Sequence, residues 1–306
     1  MAQFSRWFFC GVMMSFGLAI PCYGQEVEPR RWSHVPVGLN FATVGYVYSE
    51  AEISDNPALQ LEDVEASVHT VLAKYIRTFE LFQKSARIDI AQAYQKGRWT
   101  GLLDGNPAST DRAGWTDTVA RLAVNIYGAP PLSGKSFGAY RASLNEETVV
   151  GMALAVHLPT GEYMEDRLIN LGTNRFTFRP QMGVVHSWGK WSTELTGSAW
   201  IFTDNDEFFG GNKLETAPLY VMQGHAWYTF RPGLWLGAGV GYAYGARSTL
   251  NGEEKDDRKG NLGWVISLAY PLTRDWGVKL GYVGLRRLES TGNDVDSIVL
   301  GLSYAW

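Results

Sequence analysis

The stretch Asp296–Trp306, DSIVLGLSYAW, decides how the rest of the chain is read. Counting back from Trp306, the residues Trp306, Tyr304, Leu302, Leu300 and Ile298 are all apolar or aromatic. Ala305, Ser303, Gly301, Val299 and Ser297 between them are mostly small or polar. Side chains alternate sides along an extended backbone, so a period of two puts five large apolar groups on one face of a single β-strand. A soluble strand with one buried face shows the same alternation. What sharpens this run is its ending: an aromatic residue closes it, with a second aromatic two positions earlier.

Upstream, the same period recurs in segments of about ten residues, the length of a tilted strand that crosses a membrane. In Val119–Tyr127, Ala120, Leu122, Val124 and Ile126 alternate with Arg121, Ala123 and Asn125. Phe176, Phe178, Pro180, Met182 and Val184 interleave with Arg175, Thr177, Arg179, Gln181 and Gly183. Trp191–Phe202, Tyr220–Arg231, Leu234–Tyr244, Leu262–Tyr270 and Trp276–Leu285 repeat the theme. Asn40–Tyr48, Ser67–Thr78, Ala86–Tyr94 and Val149–Pro159 are less clean: either face of Ser67–Thr78 serves as the apolar one, and Gln92 interrupts the apolar side of Ala86–Tyr94. The total is about twelve strands.

The connections sort by parity. Ser49–Asp63, Gln95–Trp115, Thr160–Asn174, Asp204–Thr216 and Gly245–Gly260 are long, and Arg286–Asp294 is moderate. Glu80–Ser85, Ser187–Lys190, Arg231–Gly233 and Pro271–Asp275, which alternate with them, are short. Gly128–Glu147 is the exception, and it reads either as a short amphipathic helix at the lower mouth or as an ordinary longer turn. A soluble sandwich has no reason to sort its loops this way, whereas a membrane barrel has tight turns on one side and large loops on the other. The aromatics Trp191, Phe230, Trp235, Tyr270, Trp276 and Trp306 lie beside the short turns, where rings with one apolar and one polar end favour the membrane interface. The expected fold is therefore all-β: a closed antiparallel transmembrane β-barrel with short periplasmic turns and long extracellular loops. Closure follows from lipid itself, in which an open sheet edge leaves backbone groups without partners.

Met1–Gly24 reads as a cleaved export signal, with Arg6 ahead of the apolar run Trp7–Ile20 and a break at Pro21–Gly24. That run is short of the roughly 20 residues that a spanning helix needs. Residues 25–306 then form one barrel domain in the outer membrane of a Gram-negative cell. Both cysteines, Cys10 and Cys22, fall in the leader, so the mature chain offers no thiol for a disulfide, metal or nucleophile. The net charge of −4 comes without a Lys/Arg-rich cluster, which argues against a nucleic-acid partner.

Charge facing acyl chains costs roughly 2–4 kcal/mol for Arg or Lys at the midplane, so polar residues opposite the apolar face must look inward. On parity these are Arg87, Asp89, Arg121, Asn125, Arg175, Arg179, Gln181, Glu194 and His225. They define either a solute pathway or an ion-pair network that fills the lumen. Ile298, Leu300, Leu302, Tyr304 and Trp306 match what the barrel-insertion machinery reads in a terminal aromatic strand. GAPPLSGKS (Gly128–Ser136) puts five residues between its glycines where a phosphate loop has four. In Asp204–Glu207 the calcium-loop spacing fails at Phe208 and Phe209. Glu253–Lys259 is a mixed-charge loop suited to solvent or lipopolysaccharide. Barrel lipid hydrolases place a nucleophilic Ser two residues after a His, but here the five histidines are followed at that distance by Pro36, Val71, Pro159, Trp188 and Trp227. No catalytic residue, metal or cofactor is expected.

The runs RRWSHVPVGLNF (Arg30–Phe41), KYIRTFELFQKSARIDI (Lys74–Ile90), GEYMEDRLINLGTNRFTFRPQMGVVHSWGKWS (Gly161–Ser192), TDNDEFFGGNKLE (Thr203–Glu215) and NGEEKDDRKGNLGW (Asn251–Trp264) resemble the MetA-pathway phenol-degradation family, whose members are commonly labelled transporters. The resemblance implies an outer-membrane barrel that admits small hydrophobic or aromatic solutes by passive uptake. It transfers no catalytic or ligand-binding residue. Two other readings stay open, a non-transporting structural or adhesion barrel and an outer-membrane lipid hydrolase. The implied partners are membrane lipid and lipopolysaccharide, the insertion machinery and an unnamed small solute.

Overall fold

The computed structural model describes residues 29–53, 61–103 and 105–306. The leader Met1–Gly24 with its two cysteines, and part of the first loop, lie outside the described residues. In chain order the strands are β1 (Asn40–Ile53), β2 (Leu61–Leu81), β3 (Lys84–Leu103), β4 (Asn106–Trp115), β5 (Thr118–Tyr127) and β6 (Glu146–Leu158). Then come β7 (Thr177–Trp188), β8 (Trp191–Phe202), β9 (Asn205–Phe208), β10 (Asn212–Thr216), β11 (Leu219–Arg231) and β12 (Leu234–Gly245). The last five are β13 (Ser248–Leu250), β14 (Glu253–Glu254), β15 (Lys259–Pro271), β16 (Trp276–Arg287) and β17 (Asn293–Ala305). One helix, α1 (Gly134–Ser143), lies between β5 and β6.

Twelve of these strands close a ring in the order β3-β2-β1-β17-β16-β15-β12-β11-β8-β7-β6-β5 and back to β3, with antiparallel neighbours throughout. The seam between the ends of the chain is complete, running from Phe41↔Ala305 to Ile53↔Asn293. Asn40 and Trp306 add a reciprocal pair of backbone hydrogen bonds of 2.9 and 3.1 Å below it. Such a ring leaves no edge in lipid, as the expected fold requires. All twelve expected segments correspond to ring strands.

The outer surface carries the apolar face that periodicity assigned. Ile298, Leu300, Leu302 and Trp306 are exposed on it, and so are Leu122, Met182, Leu195 and Tyr220. Ambiguous β2 turns Val71 and Tyr75 outward, while Thr70, Leu72, Lys74 and Ile76 face inward. Five of the six interface aromatics, Trp191, Phe230, Tyr270, Trp276 and Trp306, lie outside near the short turns. Trp235 does not: it is 0% exposed, inside the lumen. Its neighbours Leu234 and Leu236 are on the other face of the strand, so parity sends Trp235 inward, where it packs in one cluster with Trp32 and Trp227.

Three connections depart from the expected loops. Gln95–Trp115 is no loop but a hairpin, in which β4 pairs with the far half of β3 from Tyr94↔Trp115 to Leu103↔Asn106. Strand β4 is wet on both faces, so it has no apolar period to read; backbone pairing alone makes it a strand. Lower down β5 takes over as the partner of β3, and the interruption falls at Thr116 and Asp117. Gln92, which spoiled the apolar face of β3, donates from Nε2 to the Thr116 carbonyl at 2.7 Å and so satisfies a backbone group at the break. The loops Asp204–Thr216 and Gly245–Gly260 likewise contribute β9, β10, β13 and β14 to a small second sheet. Within the first of these, Asp204 pairs with Lys213 at 2.7 Å.

Candidate functional site: the lumen and the segment inside it

Residues 29–39, just before β1, run inside the barrel. Trp32 is the centre of their attachment and is 1% exposed. Its indole sits over the facing pair Gly151 and Gly183 of β6 and β7, which stand opposite each other in register. A Cβ on Gly151 would lie 2.1 Å from the indole, and one on Gly183 2.2 Å from its nitrogen. Both positions must lack a side chain for the ring to fit. The indole Nε1–H donates to Thr196 Oγ1 at 2.8 Å, and the Trp32 backbone N–H donates to Glu194 Oε2 at 3.1 Å. Arg31 donates from Nη1 to Gln181 Oε1 at 2.7 Å.

The segment is also fastened near the periplasmic mouth. His34 Nδ1 is 2.8 Å from Glu147 Oε1, and its Nε2 is 2.9 Å from the Pro130 carbonyl oxygen. Glu147 also pairs with Arg141 of α1. Phe137 and Tyr140 of α1 meet the His34 ring edge-on, with centroids 4.8 and 5.5 Å away. The Gly128–Glu147 connection therefore contains a helix, α1, of which only Phe137 is buried. It braces the inserted segment and does not fill the lumen itself. Val35 packs with Phe41 and Ile76, and the Val37 N–H reaches the Leu132 carbonyl at 2.9 Å.

The nine inward residues read from parity all lie on the inner wall, eight of them buried and Asn125 half-buried. They form three groups. Arg121 Nε donates to Asp89 Oδ2 at 2.6 Å, and Arg87 Nε lies 3.6 Å from Asp89 Oδ1, an ion network across β3 and β5. Asn125, on the same wall, donates to Ser85 Oγ at 3.2 Å. Gln181 and Glu194 hold the inserted segment, and His225 Nδ1 stands 4.0 Å from Glu194 Oε1. Towards the extracellular end, the Arg175 guanidinium lies 4.7 Å from the Phe202 ring centre and bonds Thr216. Arg179 lies 4.5 Å from that of Trp200.

The inner wall is basic although the whole chain carries −4. Among the described residues the buried cations are Arg31, Lys74, Arg87, Arg121, Arg175, Arg179 and Lys279, against the buried carboxylates Asp89, Asp117, Glu194 and Asp257. Two of those four carboxylates are used by loops: Asp117 accepts from the Gly161 and Thr173 amides, and Asp257 from that of Ser248. Arg30 adds a further cation, stacked 5.8 Å from the Trp227 ring centre and 5.2 Å from that of Trp235. Its guanidinium stays charged, since Arg is not deprotonated in proteins.

The sequence reading found the polar wall and missed Arg30, Arg31, Trp32, His34, Trp227 and Trp235, although the last two share the wall's inward parity. The segment 29–39 has no period because its side chains answer to partners far away in the chain. One signal was present: glycines at inward positions of two neighbouring strands, a gap that something must fill.

The profile of the family described as "Putative MetA-pathway of phenol degradation" matches residues 50–291. The chain belongs to this family. Among solved structures, this MetA-pathway family member is similar to an outer membrane channel from Pseudomonas putida F1, with 21% identity and a TM-score of 0.75 over 92% of this chain and 100% of that one. It also resembles the transport unit of the autotransporter AIDA-I from Escherichia coli, with 10% identity and a TM-score of 0.50 over 92% and 93% of the two chains. These likenesses establish the outer-membrane barrel fold. No curated protein matches the MetA-pathway chain in sequence.

Proposed function

We propose that the protein is an outer-membrane channel through which small solutes, hydrophobic or aromatic ones included, diffuse passively towards the periplasm. It performs no covalent chemistry in this reading. The observation that carries it is an edgeless ring with an apolar outside and a polar, basic inside, its lumen narrowed by residues 29–39. Twelve strands lie between the filled eight-stranded barrels and the open porins of sixteen or more, so a narrow conduit is in keeping with the ring size. The family's link to phenol degradation supports an aromatic solute, and the related Pseudomonas putida protein is described as an outer membrane channel.

In this scheme Arg87, Asp89, Arg121, Asn125, Arg175, Arg179, Gln181, Glu194 and His225 border the solute's path. Residues 1–24 are removed on export, Ile298 to Trp306 at alternate positions address the insertion machinery, and the extracellular loops meet lipopolysaccharide. Planar-bilayer conductance and liposome uptake of phenols, small acids and sugars test the proposal with the refolded protein. Flux of ions and at least one solute class is expected. A folded barrel that passes nothing under any condition overturns it.

A further inference from the structure

A cavity of about 400 Å³ opens at the periplasmic mouth, between the inserted segment, α1 and the turns that follow β7 and β11. Phe137, Val185 and Trp227 give it apolar and aromatic walls. Arg30, Arg141, Lys190 and Arg231 line it against a single carboxylate, Glu147. That carboxylate is engaged by His34 and Arg141. Arg30 is set against the inward rings of Trp227 and Trp235, whereas Lys190 and Arg231 at the rim lie against the outer-face rings of Tyr228 and Tyr270, 5.9 and 5.8 Å from their centroids. Stacking of this kind holds a cation in one orientation without neutralising its charge. The space is thus apolar in its body and electropositive at its border, as small-ligand sites with a few placed polar groups are.

We propose that this cavity binds a small aromatic carboxylate, its ring against Trp227 and Phe137 and its carboxylate towards Arg30 and Arg141. The inference rests on the channel reading and names the solute class that the mouth selects. A neutral ring of the same shape would use the walls and gain nothing from the cations. A small anion without a ring would leave the walls wet.

Benzoate, benzamide and acetate separate these contributions when titrated into the purified full-length barrel, with tryptophan emission as the readout because Trp227 forms part of the wall. Benzoate is expected to bind about tenfold more tightly than either of the others, the size of one charge-assisted contact. Arg141→Gln should remove about that factor for benzoate and leave benzamide unmoved. If Arg141→Gln unseats α1, the double variant Lys190→Gln, Arg231→Gln lowers benzoate affinity by about threefold through the border charges alone. Arg98→Gln, on the far hairpin, leaves all three probes unchanged. Equal affinity for benzoate and benzamide, or a benzoate affinity untouched by both sets of variants, overturns the site. A barrel that conducts ions but does not prefer benzoate overturns this inference alone; one that prefers benzoate and passes nothing overturns the channel reading alone.

Discussion

Met182 and Gly183 follow one another in β7 and live in different surroundings. Met182 points out of the barrel and is 56% exposed to what would be lipid. Gly183 points in, against the Trp32 indole. The outer position asks only for an apolar side chain of any shape, because lipid has no shape of its own. Its inner neighbour asks for the absence of a side chain, because one particular ring occupies the space. Outer and inner faces of this wall are thus specified in different ways, the first by a property repeated many times and the second by a few contacts made once.

That contrast can be broken from either side. Trp32→Ala should have the largest effect, removing roughly 3–5 kcal/mol from docking of the inserted segment. Single-channel conductance should then rise several-fold while the barrel stays folded; an unchanged conductance would mean that the segment is not the constriction. Leu300→Arg places charge on the outer face and should cost roughly 2–4 kcal/mol of barrel stability, read from urea unfolding in bilayers, with little change in the conductance of the molecules that fold. Gly183→Ala should cost about 1–3 kcal/mol by overpacking the indole, whereas Met182→Leu one residue away should cost less than about 1.5. Comparable losses for these last two would erase the distinction between the faces. Glu194→Gln keeps an acceptor for the Trp32 N–H but removes its charge, a loss of about 1 kcal/mol visible as more frequent opening events in single-channel records. Arg98→Ala breaks an ion pair with Asp111 that stands in solvent and should shift neither unfolding nor conductance.

The same contrast explains what was legible in the chain. Eight of the twelve ring strands announced themselves because the outer face must be apolar at every second residue, and the other four carried the same period less cleanly. The nine inward polar residues followed by subtraction. What the inner residues hold was not legible. Gln181 and Glu194 looked like pathway residues, and both bond the inserted segment across 150 and 162 positions of sequence. No local pattern encodes a partner so distant. Trp235 was misplaced for a related reason: an aromatic beside a turn suits the membrane interface, and only its parity, set by Leu234 and Leu236, tells that it faces in. Strand β4 escaped because water on both sides leaves nothing to alternate.

The seam has a consequence for assembly. Strands β1 and β17 are sequence-distant neighbours, and Asn40 clasps Trp306 directly beneath the inserted residues. The cylinder can shut only when β17 meets β1. Residues 29–39 are tethered to the edge that waits, so they are in position to be enclosed as the wall closes rather than threaded into a finished tube. The topology thereby lets the wall wrap around its own lining.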